Sequence, residues 1–174
     1  MALFTRTMVE QIIKQYNINK TNRKGLRFEG NTPENEFEGY NTKAKLYNYD
    51  FQNVTNIVAV PDNKNNNYIV VYSNEDIELD NSKVNCGLFQ STEFGSIDFK
   101  NTNTSNVTNM HDMFFNCSAE LIHLDSFDTK KVTNMKWMFN KCGSKELNLR
   151  SFNTNKCTNM EAMFQDCAAK VIYF

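Results

Sequence analysis

From residue 97 onward, side chains of one kind return every 25 residues, and this period limits the folds open to the chain more than any other feature. Ile97, Ile122, Leu147 and Ile172 share one position of the repeat, and Phe99, Leu124, Leu149 and Phe174 another. Thr104, Thr129 and Thr154 follow, then Val107, Val132 and Cys157, then Met110, Met135 and Met160. Met113, Met138 and Met163 each precede a phenylalanine (Phe114, Phe139, Phe164), and Cys117, Cys142 and Cys167 close the units. Thr-Asn-Met recurs unchanged at 108–110, 133–135 and 158–160. A single unit this short cannot cover its own apolar side chains, so neighbouring units must bury one another.

Within a unit, Ile122-His123-Leu124 alternates as a short strand does. Val132, Met135, Met138, Phe139 and Cys142 have the spacing of one stripe on a short helix, with Thr133 or Asn134 before it as N-cap. The expectation is therefore an α/β fold: a short solenoid of parallel strands plus short helices over residues 96–174, carrying three repeats and a terminal strand. Ile172-Tyr173-Phe174 leaves a strand edge through which the chain is expected to form a homodimer.

Residues 1–74 read as a small N-terminal α+β cap. Met8, Ile12, Ile13 and Tyr16 recur at helical spacing, and Thr7 to Glu10 has a capping-box pattern, which predicts a helix over about 5–16. Leu26 and Phe28 mark a strand, and the run Leu46, Tyr47, Tyr49 and Phe51 a second apolar segment. Gly30 to Tyr40 reads as an acidic loop. Val54 to Val60 and Tyr68 to Tyr72 flank a turn-rich stretch, which predicts a β-hairpin. Residues 75–95 form a degenerate transition repeat, in which Ile77-Glu78-Leu79 resembles the strand and Val84, Leu88 and Phe89 the helix stripe.

The segments Phe127-Asp128-Thr129-Lys130-Lys131-Val132-Thr133-Asn134-Met135 and Met138-Phe139-x-x-Cys142 resemble the repeat of the BspA-like leucine-rich-repeat proteins, over about residues 95–174. The first unit has Thr102 where Phe127 and Phe152 stand, and the third has Cys157 in place of valine. The resemblance implies a leucine-rich-repeat-like fold and surface-displayed binding proteins with long arrays. In its size and style the chain is also similar to phage and prophage inhibitors of host defence, anti-CRISPR proteins among them.

A formal net charge of -1 excludes a polyanion binder held by bulk charge. No segment is apolar and long enough to cross a bilayer, and the start has no export signal, so the expected location is cytoplasmic, or the cell surface if the chain is a trimmed fragment. Asparagine is abundant, which reads as the coding bias of an AT-rich bacterial or phage genome. The five cysteines include no CxxC pair and read as reduced thiols. The cysteine column is expected to be core, its members about 10 Å apart at helix-packing distances, too far for a disulfide or a shared zinc. The methionine columns are expected to be core as well. No cofactor or metal is expected, since the glycines form no phosphate loop and the histidines, His111 and His123, have no ligand partners at metal spacing.

Position 112/137/162 holds Asp, Trp and Ala, a range that no core slot tolerates, so Trp137 is expected on the surface as a binding anchor. The alternative is that it folds over a neighbouring unit, partly buried. Lys130, Lys131, Lys136 and Lys141, with Phe115, complete the candidate partner-binding face. The expected function is non-catalytic recognition of a larger protein, a nucleic-acid-binding one among the candidates, by steric cover of its working surface. Direct binding of RNA through the lysines and an adhesion role of the BspA-like type are the alternatives.

Overall fold

The computed structural model describes residues 2–29, 57–62, 65, 67–73, 75–80 and 87–174. The elements are β1 (Ala2–Phe4), α1 (Arg6–Gln15), β2 (Gly25–Glu29), β3 (Ile57–Pro61), β4 (Tyr68–Ser73), β5 (Ile77–Leu79), β6 (Ser96–Asp98), β7 (Thr102–Asn103), β8 (Leu121–His123), β9 (Glu146–Asn148) and β10 (Val171–Tyr173). The fold is mixed α/β, mostly strands. The sheets are small and open, with orders β3-β4-β2-β6-β8, β1-β5-β7 and β10-β9.

The 25-residue period reappears as pairing register. β6 lies parallel to β8 with Ile97 opposite Ile122, and β9 parallel to β10 with Leu147 opposite Ile172. Lys145 N–H donates to the Glu120 carbonyl (3.2 Å) where the unit of β9 meets that of β8. Parallel bridges also join Asn109 to Asn134 and Asn134 to Asn159.

The helices expected inside the repeats do not form; among the described residues the one α-helix is α1. In their place each unit has a leg of consecutive turns, over 110–117, 135–142 and 160–167. Met113 N–H donates to Met110 C=O, Phe115 to Asp112 and Cys117 to Phe114, each three residues back. The intervening N–H groups leave the unit: those of Met110, Asp112, Phe114 and Asn116 donate to the carbonyls of Asn134, Lys136, Met138 and Asn140 at 2.8–3.1 Å. Asp112 and Asn116 adopt φ of 58° and 51°, as do Trp137 and Lys141 (57° and 55°) and Ala162 and Asp166 (51° and 55°). A left-handed residue every fourth position breaks the i→i−4 ladder of a helix. The apolar spacing of 3, 3, 1 and 3 fits three-residue turns as well as a helix, so periodicity alone does not separate them. Thr133, expected as a helix cap, instead donates through both its N–H and its hydroxyl to the Thr108 carbonyl.

The constant asparagine of Thr-Asn-Met has a local cause. Asn109, Asn134 and Asn159 each accept, through Oδ1, the N–H two residues on, at 3.0 Å. Asn103, Asp128 and Asn153 make the same turn one corner earlier. These side chains imitate a backbone turn, so at these corners asparagine has a structural role beyond coding bias. Buried Thr104 and Thr129 tie unit to unit: each hydroxyl accepts from the N–H and donates to the C=O of Asp128 and Asn153, respectively, 24 residues on.

The core is one cluster reaching from Ala2 to Met163. Its spine is Phe89, Phe114, Phe139 and Phe164, with ring centroids 5.8, 5.4 and 5.7 Å apart and planes within 9°, 8° and 1°. The methionine column is core for Met110 and Met135, whereas Met160, in the last unit, is 48% exposed. The cysteines are nearer than expected. Gly143 N–H donates to Cys117 C=O (2.8 Å) and Ala168 N–H to Cys142 C=O (2.9 Å), so adjacent units lie at strand-pairing distance, about 5 Å. The estimate of about 10 Å presumed helix-on-helix packing. All four described cysteines are free thiols.

In the N-terminal part the hairpin forms, β3 antiparallel to β4, and α1 lies where its apolar spacing predicts. Its N-cap is Thr5, whose hydroxyl accepts from Met8 N–H, and not Thr7, which falls inside the helix. β5 departs from the expected alignment: Ile77 pairs with Thr102 and not with the Ile97 position. That pairing restores the 25-residue period through Leu88 and Phe89 to Met113 and Phe114. The place beside Ile97 is taken by Leu26 of β2. Gly87 lies against the next unit so closely that a Cβ would stand 1.9 Å from the Asp112 carbonyl oxygen. The expected loop over 30–40, the run Leu46 to Phe51 and the position of Val84 lie outside the described residues.

Candidate functional site

The outward side of the turn leg gathers the residues that vary between units. Trp137 is half-buried, and its indole lies over the preceding unit, with centroids 5.7 Å from His111 and 6.3 Å from Phe115 at tilts near 45°. The partly buried reading of Trp137 is therefore the one that forms. Position 112/137/162 has a left-handed backbone in all three units; Trp137 and Ala162 are half-buried there and Asp112 is buried. Phe115 and His111 are half-buried in the same cluster.

Lys136 belongs to this cluster: its ammonium stands 4.4 Å from the Trp137 ring centroid and 2.8 Å from the Glu161 carboxylate. The other candidate lysines do not converge with it. Lys130 pairs with Asp128 at 3.8 Å on the next corner, and Lys131 donates to Asn106 Oδ1 at 2.9 Å. Lys141 is exposed at the far end of the same leg. The positive face expected from the sequence is thus broken up by Asp128 and Glu161.

Sequence reasoning missed Asp112 as part of the site. Its carboxylate is buried under the cluster, 2.9 Å from His111 Nδ1, and Oδ1 has no hydrogen-bond partner. Burial raises its pKa above the ordinary 3.8, opposed by the charges of His111 and Lys136. The sequence signal for it is the variation at position 112/137/162, which sets Asp112 apart as it does Trp137.

His123 points away from the core as expected, into a groove of about 450 Å³ lined by Asp98, Lys100, His123, Asp125 and Ser126. The Ser126 hydroxyl is committed to the Phe99 carbonyl at 2.7 Å. Burial pushes the Cys117 thiol up. Hydrogen bonding between Cys142 and Cys167, together with burial, raises Cys142, while the same bond lowers Cys167. Among the described residues no cluster of three or more His, Cys, Asp or Glu is placed to hold a metal ion, and no helix is long and apolar enough to cross a membrane.

Repeated units in parallel register, with constant inner and variable outer side chains, define a repeat domain. The chain belongs to the family described as Mycoplasma protein of unknown function, DUF285, whose model matches residues 82–171. No curated protein and no solved structure matches it.

Proposed function

We propose that this protein is a non-catalytic recognition module, a short leucine-rich-repeat-like solenoid whose binding face is the cluster of Trp137, Phe115, His111 and Lys136. The observation that carries this reading is the half-exposed aromatic group on a backbone whose inner positions are constant. Tryptophan with a neighbouring cation is the composition of a binding anchor, rigid and able to bury a large area. The partner is a larger protein, and the leading role is inhibition of a bacterial defence protein by steric cover, exerted in the cytoplasm. The family match supports a bacterial setting, and adhesion at the cell surface is the second reading.

Capture from bacterial lysate tests the proposal, with native chain and Trp137→Ala as baits. The expected result is a specific partner lost on the substitution, at a cost of about 2 kcal/mol or more in affinity. A partner held equally by both baits would refute the assigned face. Fractionation of cells expressing the gene separates the two roles: protein in the soluble fraction supports inhibition, protein on the surface adhesion.

A further inference from the structure

The 25-residue period sets Cys117, Cys142 and Cys167 one above another, and the bonds between units fix how close they come. Cys142 and Cys167 are bracketed on both sides. Lys141 N–H donates to the Gln165 carbonyl at 2.8 Å, and Ala168 N–H to the Cys142 carbonyl at 2.9 Å. Main-chain pairing of this kind holds the two Cα atoms about 5 Å apart. A disulfide needs about 4.4–6.8 Å between its Cα atoms, and side chains that do not point apart. The second condition is met as well, because the two thiols hydrogen-bond to each other.

The other described cysteines are engaged elsewhere. Cys117 Sγ lies 3.3 Å from the Thr92 hydroxyl, which donates its own proton to the Phe89 carbonyl at 2.9 Å. The Cys117 S–H therefore donates to Thr92, toward the preceding unit and away from Cys142. Cys157 stands in the valine column and donates to the Asn159 carbonyl at 3.4 Å. Within the remaining pair Cys142 is the donor, and that bond holds the Cys167 thiol below the ordinary 9.0 and Cys142 above it. The thiolate is the reactive form of cysteine, so Cys167 is the better nucleophile of the two.

We propose that Cys142 and Cys167 form a redox site, a thiol pair that a peroxide converts into a disulfide joining two consecutive units. The Cys167 thiolate attacks one peroxide oxygen and the O–O bond breaks. Sulfur becomes a sulfenic acid, and the second oxygen takes a proton from solvent and leaves as water or an alcohol. The Cys142 sulfur then attacks the Cys167 sulfur, the S–O bond breaks, and water leaves with the Cys142 proton. The pair has lost two electrons and two protons, and the peroxide has gained them. An external thiol reverses the change by exchange. The bond ties the leg over 135–142 to the leg over 160–167 and so opposes their separation. It is independent of the recognition role assigned to Trp137.

The test treats the reduced full chain with hydrogen peroxide at neutral pH, caps the remaining thiols with N-ethylmaleimide and maps the peptides without reduction. The expected product has lost two hydrogens and carries one link, between the peptides of Cys142 and Cys167. Its urea midpoint should rise by about 1 M or more, as a cross-link one repeat apart predicts, and should return with dithiothreitol. Cys167→Ala should abolish both the link and the rise. A link to Cys86, Cys117 or Cys157 would overturn the inference, as would no reaction, or a Cys167 sulfinic acid beside a Cys142 still capped by maleimide. So would a link that leaves the midpoint unchanged or lower, because the folded units would then not hold the two sulfurs at bonding distance.

Discussion

Phe114→Ala and Phe164→Ala remove the same side chain from two positions of one ring column, and the structure assigns them different costs. Phe114 is fully buried, stacked on Phe89 and Phe139 and edge-on to Phe99 at 5.8 Å. Its loss opens a cavity bounded by rings on both sides, and a buried Phe→Ala change of this kind costs about 4 kcal/mol. Phe164 stacks on one side alone, against Phe139, and is half-buried, so about half of its transfer free energy is at stake, about 1.5 kcal/mol. With a urea dependence of about 2 kcal/mol per M, the midpoint should fall by about 2 M for Phe114→Ala and by less than about 1 M for Phe164→Ala. Trp137 is the single tryptophan and lies within the repeats, so its fluorescence follows the transition where the substitutions act. Circular dichroism must give the same midpoints for a two-state reading. Equal shifts for the two variants would refute the reasoning, because they would mean that the last ring is covered as fully as the inner one.

Thr129→Val removes the hydroxyl that holds both main-chain groups of Asn153 and should cost about 1–3 kcal/mol, whereas Thr154→Val, at the exposed end, should cost less than about 0.5 kcal/mol; urea midpoints read both. Asp112 has a pKa raised by burial, so the folded state holds its proton more tightly than the unfolded chain. Its contribution is favourable at and below the ordinary 3.8 and is lost as pH rises through the raised value. Asp112→Asn keeps a residue suited to the left-handed backbone and removes the charge. Its stability relative to the native chain should therefore increase between pH 4 and pH 8, and a difference that is flat with pH would show that the carboxylate is not desolvated.

The sequence displays the units and their register because each column reports one buried slot: Ile97 does face Ile122, and Leu147 faces Ile172. It does not display the backbone of the leg. Left-handed residues are signalled reliably by glycine, and here those slots hold Asp, Asn, Trp, Lys and Ala, so the leg passes for a helix stripe. The link between the N-terminal part and the repeats was hidden for a topological reason. β2, far back in the chain, occupies the place beside β6, and nothing local to Leu26 announces its pairing with Ile97. Of the candidate site, Trp137 was legible from variation against a constant background. The dispersal of the lysines was not, since it depends on which carboxylates of neighbouring units lie within reach.

The hydrogen bonds that span 24 residues, from Met110 to Asn134 and from Met135 to Asn159, make length itself a quantised property of this protein. Excision or duplication of a whole 25-residue block rejoins ends that already match, whereas loss of a single residue within a leg displaces every donor after it from its acceptor. A gene for such a chain can grow or shrink in whole steps without redesign of the joints, so relatives should differ in length by multiples of that step more readily than by one or two residues.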